Sequence, residues 1–337
     1  MKTWVIIDLQ FGSTGKGLLA GALAKRWKPT HAVTAWGPNA GHTFVHANGK
    51  RDIRTMLANA TVHPDLQKVM IGPGSVIDLP ALMREMDEAN WSLDRLVIHD
   101  HAAVVQDRHR AAESEFVRIG STMKGTGRAM IERMERDPDA TILARDAVQG
   151  VMRRCLASPR EYLDELWRAD GLQVEGAQGF GLSLYHGDWP HTTSRDVSTH
   201  QTLADCGVPF WARPAIIGCV RTYPIRVSNR LMADGTTYSS GPGYMGQQET
   251  TFEAIGQEQE VTTVTKLPRR IFEWSDQQYL HAVRQNGVDS VFLNFVNYLN
   301  TNTVDGMARL GHIRRTIGDK LFAEGFGPRE DQIDFRS

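Results

Sequence analysis

The stretch Gln10-Phe11-Gly12-Ser13-Thr14-Gly15-Lys16-Gly17 constrains this chain most. It follows an apolar run, Trp4 to Ile7, that predicts a buried strand, and precedes Leu18 to Lys25, which predicts a helix. Strand, glycine turn, lysine and helix start together make an anion cradle. Glycines let backbone N–H groups approach a phosphate, the first helical turn has unpaired donors, and lysine adds charge. The spacing departs from the usual G-x-x-x-x-G-K-[ST] loop. On this stretch alone, an ordinary turn between strand and helix stays open.

The rest of the chain alternates in the same way. Strands are expected at 31–36, 96–98, 172–175, 214–220 and 288–296, with helices at 80–89, 107–116 and 277–285 and further helices filling 129–167. Residues 44–57 predict a hairpin turning at Asn48-Gly49. Residues 228–246, rich in glycine and serine, predict a mobile surface segment. Polar, glycine-bearing loops follow several of the strands. This alternation predicts an α/β fold with one large, mostly parallel central sheet flanked by helices, built as a single domain over 1–337 with loop excursions. Ligand loops should then collect at the carboxyl ends of the strands.

The chain has 337 residues and a formal net charge of −1, so no overall basic field points to nucleic acid. Cys155, Cys206 and Cys219 are widely spaced, which fits a reducing compartment and no disulfide framework. No apolar run reaches membrane-spanning length. The first residues lead straight into a strand, with no signal-peptide pattern. A cytoplasmic protein is the expectation.

Several loops, taken in order, resemble those of the adenylosuccinate synthetase family. The family opens with Q-W-G-D-E-G-K-G, where this chain has Gln10 to Gly17. The family's N-A-G-H-T stands intact at Asn39 to Thr43, and its I-G-[ST]-T resembles Ile119 to Thr122. E-G-A-Q-G is intact at Glu175 to Gly179, and H-G-x-x-P-x-x-T-S at His186 to Ser194. Its T-T followed by arginines resembles Thr262-Thr263 and Arg269-Arg270, with altered spacing, and its late G-P turn matches Gly327-Pro328. The likeness spans nearly the whole chain.

The resemblance implies a P-loop-like fold and a two-step ligation. A nucleoside triphosphate phosphorylates the 6-oxygen of a purine monophosphate, and the aspartate amine then displaces that phosphate. Carried over residue by residue, Gly12, Thr14, Gly15, Lys16, Gly17 and Thr43 hold the donor, with Gly327 and Pro328. His42 acts as an acid on the leaving phosphates, since histidine changes charge near neutrality. Gln178 donates to the 6-oxygen. Asn39, Ser121, Thr122, Gln178 and Thr193 bind the purine monophosphate. Thr262, Thr263, Arg269 and Arg270 clamp the aspartate. The Gly41 carbonyl, with the residue at position 13, ligates Mg²⁺. Family members are homodimers in which an arginine reaches the partner's substrate phosphate; Arg133, Arg136 and Arg145 are the candidates here.

Two departures bear on the substrates. The family has an aspartate where this chain has Ser13, so the base that takes the N1 proton is missing. An inactive relative is one reading. A changed acceptor is the better one, because serine leaves room for a 2-amino group and its oxygen still accepts a hydrogen bond. This resembles the phage-encoded branch that acts on dGMP to make the precursor of 2-aminoadenine. The second departure is at the donor base. The family's T-K-L-D becomes Asn294-Phe295-Val296-Asn297. Asn297 cannot offer two acceptor oxygens to guanine and suits adenine, which predicts ATP or dATP. The alternatives are a synthetase acting on IMP, a nucleotide switch that ignores aspartate, and a kinase.

Overall fold

The computed structural model describes residues 1–116, 119–232, 234–262 and 267–336. Its centre is a ten-stranded sheet. The first strand, Lys2–Asp8, lies between Gly171–Glu175 on one side and Ala215–Arg221 on the other, parallel to both. Beyond Gly171–Glu175 the sheet continues through His31–Thr34, Lys68–Ile71, Leu96–His99 and Leu156–Ala157, all parallel. Beyond Ala215–Arg221 it continues through Ser290–Asn294 and Leu321–Gly325, and closes on Ile333–Phe335, which runs antiparallel. The expected mostly parallel α/β sheet is therefore present.

Both faces of the sheet are covered, which is why its strands read as unbroken apolar runs. On the first strand, Val5 and Ile7 pack into one layer with Val174, Leu203 and Val220. Trp4 and Ile6 face the opposite layer, where Leu19 and Leu23 of the helix Lys16–Trp27 cover them. Alternation along one strand thus builds two cores.

The chain leaves the first strand in both directions across the sheet, so the carboxyl end of that strand is a switch point where a crevice must open. The loops after Asp8, Thr34, Glu175, Arg221, Asn294 and Gly325 all gather there. A small antiparallel sheet of Ile225–Val227, Arg269–Phe272 and Glu249–Thr250 stands beside them.

Several expectations shift. The helical filling of 129–167 is broken: Thr126–Glu135 and Pro159–Trp167 are helices, but a short helix, a 3₁₀ segment and a two-residue strand intervene. The strand expected over 288–296 stops at Asn294, because Phe295 turns into the left-handed region at φ 57°. The segment 228–246 carries a two-stranded ribbon, Arg230–Leu231 with Thr237–Tyr238, and buries Ser240. Leu231 and Met245 are exposed, so the segment still lies at the surface.

Candidate active site

The crevice at the switch point is a cavity of about 660 Å³. Its floor is the loop Gln10 to Gly15. One residue shapes this loop, and the motif does not include it. Asp8, at the end of the first strand, is fully buried. Its Oδ1 accepts from the backbone N–H of Gln10 at 2.9 Å and of Gly12 at 3.1 Å. Its Oδ2 accepts from the Thr14 hydroxyl at 2.5 Å and from Lys16 Nζ at 3.2 Å. A carboxylate taking that many donors can be buried because its charge is both paired and hydrogen-bonded. The family pattern has two carboxylates in this loop, replaced here by Ser13 and Thr14. Asp8 supplies one from beneath.

The loop leads into a helix with no side-chain cap at Gly15 and no acidic residue in its first turn. Its first N–H groups and the positive end of its dipole are left for an anion. Gly15 must be glycine. Its φ is +92°, and a Cβ there would lie 2.0 Å from Asn294 Nδ2. That amide donates to the Thr14 carbonyl at 3.1 Å and fixes the loop to the neighbouring strand end. Lys16 reaches across the floor and donates to the Gln178 carbonyl at 2.7 Å. Ser13, Gln178 and Phe295 all line the cavity with φ between 54° and 61°. Non-glycine residues hold that conformation only where their surroundings impose it, and such residues cluster at functional sites.

His42 begins the strand His42–Val45 and lies flat on Trp36, with ring centroids 4.0 Å apart. Trp36 Nε1 donates to the Glu175 carbonyl at 2.7 Å, so the Glu175–Gly179 motif positions His42 through Trp36. The Glu175 carboxylate itself faces inward and accepts from Asn59 and Ala60 N–H at 2.9 Å, a structural role. Burial, and then the nearby Lys16 charge, hold His42 well below the ordinary imidazole pKa. The expected proton donor is therefore a neutral imidazole in the open site.

On the far wall, Arg269 Nη1 donates to the Ser13 hydroxyl at 2.7 Å. Arg221, fully buried, donates to the Ser13 carbonyl at 3.2 Å and lies 3.8 Å over the Phe295 ring. Both guanidiniums meet Glu260. Burial alone would raise the Glu260 pKa, but Arg221 and the other donors hold it below the usual range. Burial lowers Arg269 to about 10, so it remains a cation at neutral pH.

Of the residues expected from the sequence, Gly12, Ser13, Gly15, Lys16, Gly17, Asn39, Gly41, His42, Thr43, Thr122, Gln178, Thr262, Arg269, Asn297, Gly327 and Pro328 all line this one cavity. Four expectations are corrected in placement. Thr14 turns its hydroxyl down to Asp8 and shapes the loop from below. Arg270 points away: neighbours on a strand face opposite sides, so with Arg269 inward, Arg270 pairs bidentately with Glu249. Ser121 bonds to Glu113 across 3.5 Å, and Thr193 is held by the Leu182 carbonyl at 2.8 Å; neither lines the cavity. Thr263 lies outside the described residues. Asp8, Arg221 and Glu260 were not anticipated, and neither was Tyr298.

The two residues expected to hold Mg²⁺ both line the cavity, Gly41 with a backbone carbonyl and Ser13 with a hydroxyl. The Ser13 oxygen already accepts from a cation. A magnesium ion carried on donor phosphates keeps several waters and takes one or two protein ligands, and these residues fit that, with Gly41 the better of the two. Among the described residues, the one cluster of His, Asp, Glu and Cys with ligand spacing is His99, Asp100 and His101. It lies outside the cavity. Its His99 Nδ1 accepts from the His101 N–H, and its His101 Nε2 faces Arg145 at 3.3 Å.

The adenylosuccinate synthetase family model matches residues 5–149 and 137–305. The chain belongs to the adenylosuccinate synthetase family. It is 42% identical over 365 aligned positions to the N6-succino-2-amino-2'-deoxyadenylate synthase of Acinetobacter phage SH-Ab 15497, covering 99% of this chain and 93% of that one. It is 45% identical to the enzyme of the same name from cyanophage S-2L, covering 87% of this chain and 82% of that one. The adenylosuccinate synthetase of Archaeoglobus fulgidus is more distant, at 28% identity over 89% of this chain and 85% of its own. Among solved structures, the cyanophage S-2L succinoaminodeoxyadenylate synthetase bound to dGMP and dATP as an energy donor superposes with a TM-score of 0.92, 39% identity and coverage of 99% and 95%. The fully ligated adenylosuccinate synthetase of Plasmodium falciparum matches with a TM-score of 0.82 at 17% identity and shares the fold. Like other members of this family, the chain is a C–N bond-forming ligase.

Proposed function

We propose that this ligase joins L-aspartate to carbon 6 of dGMP, with ATP or dATP as phosphoryl donor, giving 2-amino-2'-deoxy-N6-succinyladenylate. The observation that carries the reading is Ser13, uncharged and bonded to Arg269, where the adenylosuccinate synthetases on IMP have an aspartate. The phage relatives with this activity, and the neighbour holding dGMP and dATP, support it.

In the first step the 6-oxygen attacks the terminal phosphorus, the bond to the diphosphate breaks, and the N1 proton passes to water. Arg269, beside Ser13, favours the anion that results, standing in for a base by lowering the cost of charge. Gln178 donates to the 6-oxygen. In the second step the aspartate amine attacks carbon 6, the C–O bond to phosphate breaks and the amine loses a proton. Aspartate is held by Thr262, Thr263 and Arg269. Asn39 and Thr122, which line the cavity, take the monophosphate.

Lys16, the Gly12–Gly17 loop and Thr43 hold the donor phosphates. His42, neutral when the site is open, gives one N–H to them, and the arriving negative charge raises its proton affinity. Asn297, Phe295, Gly327 and Pro328 receive the adenine. Gly41 and Ser13 would hold a magnesium ion, which would supply charge neutralisation at the donor phosphates. The working protein is a homodimer built as a single domain. Arg133 turns inward to the Pro73 carbonyl, which leaves exposed Arg136 or Arg145 to reach the partner.

The test is to incubate the protein with ATP, Mg²⁺, aspartate and dGMP and weigh the product. The reading requires a species of mass dGMP plus aspartate minus water, formed only when aspartate is present. A stable phosphorylated dGMP that accumulates in place of that species, or phosphate release indifferent to aspartate, contradicts it.

A further inference from the structure

The donor's base and the acceptor's reacting edge meet different walls of the cavity, yet one carboxylate touches the residues of both. We propose that Glu260 is a positioning residue that couples the donor base pocket to Ser13, so that donor binding organises the wall that meets acceptor and aspartate. The inference rests on the donor and acceptor assignments above.

The Glu260 carboxylate has three partners. Arg221 donates to Oε1, and at 3.4 Å to Oε2. Tyr298 donates its hydroxyl to Oε1 at 2.7 Å. Arg269 Nε lies 3.6 Å from Oε2. The backbone fixes this arrangement, since Arg269 N–H donates to the Glu260 carbonyl at 2.9 Å.

Each partner has a second contact at a ligand wall. Tyr298 meets Phe295 edge-on, with centroids 5.1 Å apart, and Arg221 lies over the face of that ring at 3.8 Å. These hold the aromatic ring beside Asn297. In the other direction, Arg221 grips the Ser13 carbonyl and Arg269 the Ser13 hydroxyl. Ser13 and Phe295, the two left-handed residues joined by this network, belong to loops that follow different strands. Without the carboxylate, two guanidiniums face one another with no counter-charge, one of them fully buried. Uncompensated buried charge is strongly unfavourable, so both would move. A shift at Phe295 is then felt at Ser13, and the reverse.

The test is calorimetric binding of a non-hydrolysable ATP analogue, with and without dGMP and aspartate, to the wild type and to Glu260→Gln, Glu260→Asp and Tyr298→Phe. Wild type should bind the analogue about fivefold or more tighter with the other ligands present, within the usual range for coupled sites. Glu260→Gln should bring that ratio close to one and raise KM for both donor and aspartate. Glu260→Asp should restore part of it, and Tyr298→Phe, which removes a single hydroxyl, should reduce the ratio without loss of fold. A purely structural Glu260 would lower Tm and kcat and leave the ratio and both KM values alone; that result overturns the inference, as does a wild type with no coupling. Wild type that makes no product with dGMP would sink the acceptor assignment instead, and the same ratio measured with IMP would still judge Glu260.

Discussion

Arg269 donates a 2.7 Å hydrogen bond to the Ser13 hydroxyl, across 256 residues of sequence. It puts a positive charge beside the position at which the family's IMP enzymes have an aspartate. Under the proposed function, this pair lets a ligase lose its aspartate at this position and keep the chemistry. The reaction makes an oxyanion on the purine, and a fixed cation helps that as a nearby base would.

Ser13→Asp tests this directly. Aspartate tolerates the left-handed backbone that Ser13 adopts, so the fold should survive. The new carboxylate would ion-pair with Arg269 and fill the space left for the 2-amino group. We expect kcat/KM with dGMP to fall roughly 10–100-fold, the scale of a steric or polar mismatch in a pocket, and IMP to gain relative to it. Steady-state phosphate release with both acceptors measures the ratio.

Asn297→Asp should move donor preference toward guanine. A carboxylate accepts twice from N1–H and the 2-amino group, and the asparagine amide cannot. The GTP-to-ATP ratio of kcat/KM should rise about tenfold or more, the worth of one bidentate pairing. An unchanged ratio would mean the base is read elsewhere.

The phosphate loop should tolerate little. Gly15→Ala puts a methyl group 2.0 Å from Asn294 Nδ2 at a φ of +92°. Lys16→Met removes the cation and leaves Asp8 buried without its ion pair. Either should cut kcat by roughly 10²–10³, the usual cost of one electrostatic contact to developing charge. Lys16→Met should also lower Tm, because an unpaired buried carboxylate costs about 3–5 kcal/mol. Thermal melts and initial rates on the same preparations check both.

Stability should fall below neutrality. Burial lowers the pKa of His42, His31 and His63, and brings His99 to about 4. The unfolded chain takes up protons on these rings near pH ~6.5 and the folded chain does not. Their stabilisation is therefore complete above that pH and is lost as pH falls toward the folded values. Buried Glu175 and Asp205, whose pKa values are raised by burial, act in the opposite sense and limit the fall. Tm should decline from pH 7 to pH 5 at constant ionic strength, and His99→Gln should flatten the lower part of that curve. A Tm that rises over this interval contradicts the assignment.

What the sequence disclosed, and what it hid, divides by distance along the chain. The phosphate loop, the Asn39–Thr43 loop and the Glu175–Gly179 turn are local patterns, each following its own strand, and they were readable. The parallel sheet was readable too, since covered strands must be apolar throughout. Asp8 was hidden at the end of that apolar run, where a lone carboxylate looks like an ordinary strand end. Arg221 and Glu260 are unremarkable in sequence and become a network only because the Ala215–Arg221 strand lies next to the first strand. Arg270 was misplaced because a pair of adjacent arginines reads as one clamp until strand alternation separates them. For Asp8, a signal was available: a motif that lacks both of its family's carboxylates needs one from elsewhere.

The most direct measurement is aspartate-dependent phosphate release, with ATP and Mg²⁺, comparing dGMP with IMP as acceptor. This account predicts turnover with dGMP and at most a small fraction of it with IMP. Turnover with IMP and none with dGMP would contradict it, and would leave Ser13 as a lost base with nothing in its place.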